Sequence, residues 1–200
     1  PYGDEAFASV VSNSVLEHIE DLPPVLSEVS RVLQPGGWFH FCVPGPGFTA
    51  FLSIARALER LGLEAAAEGY RDLFNRISRH HHFDDPSVWG RRLQSAGMRL
   101  VESWPYFSPR ALAALEWGHY LGLPSLFSKA LTGRWVLCPS RANLWITERL
   151  VRTFYEEPMS QPPQSRDTEA AATRSGAYLF FVARKPRSSS SERNRQHEPD

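Results

Sequence analysis

A polar segment, Ser12 to His18, directly follows a short apolar stretch near the start of the chain. It places a carboxylate beside an imidazole, Glu17 and His18, and these groups often move protons in enzymes. Asn13 and Ser14 add hydrogen-bonding groups for a polar ligand. The alternative is that Asn13 and Ser14 only turn and cap the chain, while Glu17 and His18 point into solvent.

Three consecutive histidines, His80 to His82, form a second group with chemical potential. Zinc is bound by histidine, cysteine and carboxylate ligands, but three adjacent histidines in regular structure cannot all point at one ion. The sequence therefore predicts no metal site here, and a solvated loop is the alternative to a functional role. Asp84 and Asp85 are expected to cap the next helix rather than to act in catalysis.

A strand–helix–strand pattern positions the polar segment 12–18. A β-rich run over 7–11 predicts a strand, and a nearly continuous apolar run over 38–43 predicts a central strand covered on both faces. Between them, Asp21 is expected to cap a helix whose first turn holds Pro23 and Pro24. Its apolar face consists of Leu22, Val25, Leu26, Val29, Val32 and Leu33. This pattern predicts a parallel βαβ unit, with the polar segment at the carboxyl end of its first strand.

The rest of the chain alternates helical and strand patterns. The predicted elements are helices over 48–61 and 65–77, a helix beginning at 84–86, a strand over 98–107, a helical region over 109–155, a polar loop over 156–175 and a strand over 176–183. Residues 187–200 include four consecutive serines, and their composition predicts a disordered tail. The pattern as a whole predicts an α/β fold.

Composition excludes several classes of protein. Lys and Arg total 22, as do Asp and Glu, so nothing in the charge points to nucleic acid. Two cysteines, Cys42 and Cys138, are too few for a disulfide framework, which favours a reducing compartment. There is no secretory signal and no apolar run of spanning length, so a cytoplasmic location is expected.

Several of these residues together resemble a known family. They are Tyr2, Asp4 and Phe7, the polar segment 12–18, the helix end over 31–37, and the strand end at Val43 and Pro44. This combination resembles the class I S-adenosylmethionine-dependent methyltransferases, and among them the type 11 group. The resemblance is dense over 1–44 and weaker over 89–100, and the run over 176–183 is similar to the family's last strand.

The resemblance implies a fold and a domain organisation. The expected fold is a partial Rossmann-like sheet of parallel strands with a final antiparallel strand, plus a helical insertion before that last strand. A partial methyltransferase domain would then extend over 1–186. Residues 108–157 would form its helical cap, and the tail would follow over 187–200.

The resemblance also implies S-adenosylmethionine as the cofactor, with Asn13, Ser14 and Val15 on the cofactor side. In the family, the segment before the late helix often lines the mouth of the active site, which suggests a histidine general base there. The candidate catalytic residues near the methyl acceptor are Glu17, His18, His80 and His81.

One part of the family pattern is missing. The family binds its cofactor mainly through a glycine-rich loop after the first strand and an acidic residue at the end of the second, and these 200 residues contain no such loop. Gly45, Pro46 and Gly47 follow a strand, but Pro46 lacks the N–H that a phosphate-binding turn would use, so a dinucleotide dehydrogenase is disfavoured.

We therefore expect the C-terminal part of a methyltransferase, or a domain whose N-terminal part comes from elsewhere. The alternative function is a non-catalytic remnant or protein-binding module that cannot bind the cofactor alone. Such a module would use its exposed sheet edge for self-association or for contact with another protein.

The region 109–155 combines aromatic and basic residues. They include Trp117, Tyr120, Phe127, Lys129, Trp135, Arg141, Trp145, Arg149 and Arg152. This combination is typical of an apolar substrate pocket or of a face that lies on a membrane surface. The corresponding hypothesis is a small or apolar, lipid-like acceptor, with peripheral membrane contact through 108–157. Ordinary packing of a helical cap on the sheet is the alternative.

Overall fold

The computed structural model describes residues 1–133 and 176–187, together with four isolated positions between 145 and 152. The strands are β1 (Phe7–Asn13), β2 (Leu33–Pro44), β3 (Arg99–Tyr106) and β4 (Tyr178–Arg184). The helices are α1 (Leu22–Val32), α2 (Gly47–Ala50), α3 (Ser53–Arg60), α4 (Glu64–Ser78), α5 (Pro86–Ser95) and α6 (Pro109–Thr132), with a 3₁₀ turn at Leu16–His18. The predicted loop over 156–175, the tail beyond 187 and most of the predicted helical region after residue 133 lie outside the described residues.

The described residues fall into two compact units. The first combines residues 1–46, 78–105 and those from 178 onward, and it contains the sheet. The second combines residues 47–77 with those from 106 to 177 and contains helices α2, α3, most of α4, and α6. None of the described helices is long and apolar enough to cross a membrane, although α6 has 24 residues.

A mixed four-stranded sheet in the order β1-β2-β4-β3 forms the centre of the first unit. Strand β1 is parallel to β2, with Asn13 opposite Cys42. Strand β4 is antiparallel to β2, with Phe181 opposite Phe41. The predicted α/β fold, with a parallel βαβ unit and a final antiparallel strand, is confirmed.

Strand β2 is central because it pairs on both of its edges, with β1 and with β4. Its last four residues, 41–44, are all buried, whereas Trp38 and His40 are only half-buried. The prediction of a strand covered on both faces is therefore right at the carboxyl end of β2 and wrong before it. The alternation over 38–41 is that of a strand with one fully covered face.

Aromatic side chains pack at the centre of the first unit. The ring of Phe41 lies 4.8 Å from Phe39, 4.7 Å from Phe181 and 5.0 Å from Trp89 between centroids. All four side chains are fully buried, and each contributes about 1.5–3 kcal/mol through removal of apolar surface from water. Because Trp89 belongs to α5, this cluster holds that helix on the sheet.

The three predicted capping residues behave differently, since Asp85 caps a helix, Asp21 makes no capping bond, and Asp84 pairs with Arg92 instead of capping. Asp85 precedes α5, and its carboxylate accepts hydrogen bonds from the backbone N–H groups of Ser87 and Val88 at 2.7 and 3.1 Å. Asp21 precedes α1, but its side chain makes no capping bond, so that prediction is wrong. The reason is that Pro23 and Pro24 occupy the two positions whose N–H groups an N-cap normally binds.

The helix predicted over 48–61 is two helices in the structure, α2 and α3, with a break at Phe51 and Leu52. The break coincides with the N-terminus of α3, where the carboxylate of Glu116 accepts bonds from the N–H groups of Ser53 at 2.6 Å and Ile54 at 3.1 Å. A carboxylate at this position also interacts favourably with the helix dipole. The partner lies more than 60 residues away, so the local pattern did not reveal it.

Glu116 is the polar centre of the second unit. Its carboxylate is fully buried and also accepts bonds from the Ser53 hydroxyl at 2.6 Å and the Tyr70 hydroxyl at 2.7 Å. The Tyr120 hydroxyl donates in turn to the Tyr70 oxygen at 2.8 Å. Burial, together with the contacts to Tyr120 and Glu116, raises the pKa of Tyr70 well above its usual range. Helices α3, α4 and α6 are thereby joined through one satisfied carboxylate.

Candidate functional site

The polar segment 12–18 lies at the carboxyl ends of two parallel neighbours, β1 and β2, as the sequence predicts. The Cys42 thiol of β2 donates a hydrogen bond to Asn13 Oδ1 at 2.7 Å, and the Ser14 backbone N–H donates to the Cys42 carbonyl at 3.1 Å. These bonds hold the end of β1 against β2. In an open α/β sheet this edge is where ligands bind.

Ser14 turns the chain sharply at this edge. Its φ of 49° is left-handed, a conformation that costs a non-glycine residue about 1–2 kcal/mol. Asn13 before it is exposed, and Val15 after it is 49% exposed, so the turn presents both to solvent at the strand end. Strained backbone of this kind is found preferentially at ligand-binding and catalytic sites.

The 3₁₀ turn that follows has one apolar and one charged buried side chain. Leu16 is 3% exposed and belongs to the apolar core of the first unit, and this contact anchors the turn. Glu17 is 0% exposed, whereas the His18 side chain is 44% exposed. The interpretation that both Glu17 and His18 point into solvent is therefore wrong for Glu17.

The Glu17 carboxylate is buried without adequate hydrogen bonding. Within the described residues, neither of its oxygens has a hydrogen-bond partner, and His18 Nε2 lies 3.9 Å from Oε1. Burial raises the pKa of Glu17, and its own backbone N–H, the charge of His18 and the Ser14 hydroxyl oppose this only in part. The Ser14 hydroxyl is close enough to favour the ionised form but lies outside hydrogen-bonding geometry.

The histidine segment runs alongside this turn. The His81 N–H donates to the Glu17 carbonyl at 2.7 Å, and the rings of His18 and His80 lie 5.0 Å apart. His18 Nδ1 lies 3.1 Å from the Arg79 carbonyl oxygen. A carbonyl oxygen can only accept, so Nδ1 carries a proton, and in the neutral ring the lone pair of His18 is on Nε2.

The histidines of this segment have three different environments. His80 is half-buried beside His18, and burial, with smaller effects of His18 and His81, lowers its pKa to about 4. His81 is exposed. His82 is tied to other groups, because its Nε2 lies 2.9 Å from the Ile19 carbonyl oxygen and its Nδ1 lies 3.6 Å from the Asp84 carboxylate.

The structure thus brings together three of the four candidate catalytic residues, Glu17, His18 and His80, and places the backbone of His81 beside them. Asn13, Ser14 and Val15 lie at the adjoining strand end. The sequence placed all four near the methyl acceptor by resemblance, but it did not reveal that Glu17 is buried or that it meets His80, which is 63 positions away. The only local hint was the polar character of both segments.

The fold is that of an α/β protein with a mixed four-stranded sheet, and Asn13 and Ser14 lie at the sheet edge where proteins of this class commonly bind ligands. A comparison of the sequence with known protein families gives a more specific match. Residues 1–41 match the family described as "Methyltransferase domain", which confirms the resemblance over β1, α1 and most of β2. A comparison with curated protein sequences finds no match.

Solved structures of similar fold include three whose names refer to methyltransferases. One is described as a sarcosine dimethylglycine methyltransferase from Galdieria sulphuraria (15% identity, 94% of this chain, 56% of that chain, TM-score 0.46). Another is a Bacillus halodurans C-125 protein described as a methyltransferase (18% identity, 93% and 73%, TM-score 0.44). A third is phosphoethanolamine N-methyltransferase 2 of Haemonchus contortus, solved with phosphomonomethylethanolamine and S-adenosylhomocysteine (17% identity, 94% and 35%, TM-score 0.46).

The present chain spans about half the length of the first of these relatives and about a third of the last. Identities below 20% and TM-scores below 0.5 do not establish a shared activity. The strand-end site and the family match over residues 1–41 are therefore the observations that bear on function.

Proposed function

We propose that this chain contributes one wall of an S-adenosylmethionine site and the acceptor-side residues of a methyltransferase. The observation that carries the proposal is the strained turn at Ser14, which presents Asn13 and Val15 at the carboxyl ends of β1 and β2. This turn lies within the segment that matches the methyltransferase domain. The site residues and the sequence match therefore point to the same place.

The fit to the cofactor is partial. Asn13 supplies an exposed amide, Ser14 a hydroxyl and Val15 an exposed apolar surface at the strand end. The 200 residues contain no glycine-rich strand-to-helix turn of the kind that binds the rest of such a ligand. Asn13, Ser14 and Val15 would therefore form one side of the site.

The cofactor would supply an electrophilic methyl carbon on a sulfonium centre and leave as the thioether S-adenosylhomocysteine, and an O–H or N–H acceptor would also lose a proton. The groups of this chain that can take that proton are the histidines beside Glu17. With a pKa of about 4, His80 is neutral at pH 7 and has a lone pair available, although it is a weak base. The exposed His81 is the second candidate, and Glu17 and His18 line the same turn.

Binding of S-adenosylhomocysteine to the purified chain, measured by titration calorimetry beside a thermal melt, tests the proposal. We expect micromolar binding, a raised melting temperature and about tenfold weaker binding for Asn13→Ala, since one buried polar contact is worth about 1–1.5 kcal/mol. Ser9→Ala is the matched control, because Ser9 is an exposed polar residue of the same strand. A cooperative melt without binding, or equal losses in both variants, would overturn the proposal.

The acceptor is proposed to be small or apolar. Support comes from α6, on which Trp117, Phe127 and Leu131 are each more than half exposed and lie within about 80° of one another around the helix axis. Exposed apolar side chains at helical spacing are typical of a face that contacts apolar ligands or lipid. The alternative is that these side chains of α6 pack against another protein segment, which would also leave them exposed in this chain alone.

A vesicle flotation assay separates these alternatives. We expect the chain to float with vesicles that contain anionic lipid and the double variant Phe127→Ser, Leu131→Ser to remain in solution. Leu61→Ser is the control, because Leu61 is equally exposed, at 73%, but lies outside α6. Absence of flotation, or equal loss in the control, would contradict a lipid-like acceptor.

A further inference from the structure

Three metal-ligating side chains converge at the 3₁₀ turn. One atom from each of Glu17, His18 and His80 lies within 4.8 Å of the other two. The first two residues are adjacent in the turn, and the third is brought beside them by the backbone contacts of residues 79–81. The prediction of no metal site concerned only the three consecutive histidines, of which His80 alone belongs to this cluster.

The buried carboxylate points to a missing partner. Glu17 is 0% exposed, and within the described residues neither of its oxygens is hydrogen-bonded. Buried polar groups are nearly always satisfied, and a buried unsatisfied carboxylate is among the costliest exceptions. A cation bound between Glu17 and the two imidazoles would satisfy it.

The orientation of His18 suits a metal ligand. Its Nδ1–H donates to the Arg79 carbonyl at 3.1 Å, which directs the unprotonated Nε2 towards Glu17 Oε1, 3.9 Å away. Metal-bound histidines commonly donate their second ring N–H to a backbone carbonyl or carboxylate in this way. The contact fixes both the tautomer and the ring plane before a metal arrives.

We propose that Glu17, His18 and His80 bind a divalent transition-metal ion, with Zn²⁺ as the best match to two imidazoles and one carboxylate. Mg²⁺ and Ca²⁺ prefer oxygen ligands throughout, whereas zinc takes mixed nitrogen and oxygen sets. Tetrahedral ligands at zinc bond lengths are about 3.3 Å apart, so no pair of ligand atoms must close by more than about 1.5 Å. The His18 side chain is 44% exposed and has the most room to move.

Three protein ligands leave one coordination position open, as in catalytic zinc sites. That position can bind water or an oxygen or nitrogen atom of a methyl acceptor and lower the pKa of the bound group. With the metal bound, His80 acts as a ligand, and His81 is the histidine left to accept a proton. This second role rests on the proposed methyl transfer, whereas metal binding itself does not. Metal binding and methyl transfer can therefore be disproved independently.

The test is a titration of the chelator-treated chain with Co²⁺, followed by visible absorption, and then displacement by Zn²⁺. We expect one ion per chain, a band of the intensity typical of four- or five-coordinate cobalt, and a melting temperature raised by zinc. Glu17→Gln, His18→Gln and His80→Gln should each weaken binding at least 100-fold. His81→Gln is the matched control, because it removes an adjacent exposed histidine outside the cluster, and it should bind within threefold of the parent chain.

Four outcomes would overturn the proposal. They are absence of a cobalt band in a chain that melts cooperatively, equal loss of binding in His81→Gln, displacement of cobalt by Mg²⁺ as readily as by Zn²⁺, and a strong thiolate-to-cobalt charge-transfer band. The last would assign the metal to Cys42 or Cys138, and serine variants of these two residues identify it. None of these measurements involves S-adenosylmethionine, so they leave the proposed function to its own test.

Discussion

Two buried glutamates, one in each unit of the molecule, are equally hidden from water and have opposite surroundings. Glu17 and Glu116 are both 0% exposed. Glu116 accepts four hydrogen bonds, from Ser53, Ile54 and Tyr70, whereas Glu17 has no hydrogen-bond partner among the described residues. The two carboxylates are equally buried, so the difference between them lies in the hydrogen-bond donors that surround each one.

The difference separates a structural carboxylate from a functional one. A charge that is buried with a full set of donors stabilises the arrangement that provides them, and removing it leaves those donors unsatisfied. A charge buried without donors destabilises the fold until something else binds it. We expect Glu116 to act in stability and Glu17 in binding.

The largest expected effect is that of Glu116→Ala. Because four donors lose their acceptor, we expect a loss of about 4 kcal/mol in the free energy of unfolding, measured by urea denaturation of the chain. Glu102→Ala, at an exposed glutamate, should change it by less than about 0.5 kcal/mol. Similar small losses in both variants would show that the Glu116 network does not stabilise the fold.

Bound zinc should change Glu17 from a destabilising buried charge into a stabilising metal ligand. At a free zinc concentration of 100 times Kd, the parent chain should gain about 2.7 kcal/mol of stability and Glu17→Gln almost none. Melting curves with and without zinc measure this. A zinc-induced gain that survives in Glu17→Gln would place the metal elsewhere.

Tyr70→Phe removes one donor from Glu116 and the acceptor of Tyr120. A hydrogen bond to a charged group contributes about 1.5–3 kcal/mol, so we expect a loss of about 2 kcal/mol in urea denaturation. Tyr120→Phe, which removes only a bond between two neutral hydroxyls, should cost about 1 kcal/mol. If the second variant costs more than the first, Glu116 is not the centre of the network.

Without metal, Glu17→Gln should stabilise the chain at pH 8 by about 1–2 kcal/mol, because it removes a buried unpaired charge. The folded-state pKa of Glu17 is raised, so its contribution to stability is fully present below the unfolded-state pKa and is lost as pH rises through the folded-state value. The advantage of the variant should therefore grow from pH 4 to pH 8. An advantage independent of pH would contradict this assignment.

His80 should show the opposite and smallest dependence. Its folded-state pKa of about 4 lies below the unfolded-state value near 6.5, so its contribution is present above pH 6.5 and is lost as pH falls towards 4. Measured in the Glu17→Gln background, His80→Gln should remove about 1 kcal/mol of this pH dependence, a value reduced for the partial exposure of the ring. An NMR titration midpoint near 6.5 for His80 would contradict the lowered pKa.

Much of the sheet unit could be predicted from local sequence. The β-rich and apolar runs located β1 and β2, and the helical spacing of apolar residues located α1 between them. Asp85 before Pro86 marked the start of α5 correctly. These features depend on backbone hydrogen bonding and side-chain periodicity within a few residues, which the sequence displays directly.

What local sequence could not reveal is which distant groups meet. The break between α2 and α3 depends on Glu116, more than 60 residues away, and the state of Glu17 depends on residues 79–81 packing beside it. Local sequence was enough to locate most of the strands and helices, the end of β1 and the polar side chains that follow it. The tertiary structure decided that one buried carboxylate is fully hydrogen-bonded and the other is left for a ligand, because hydrogen-bond partners at this separation are set by packing and not by spacing along the chain.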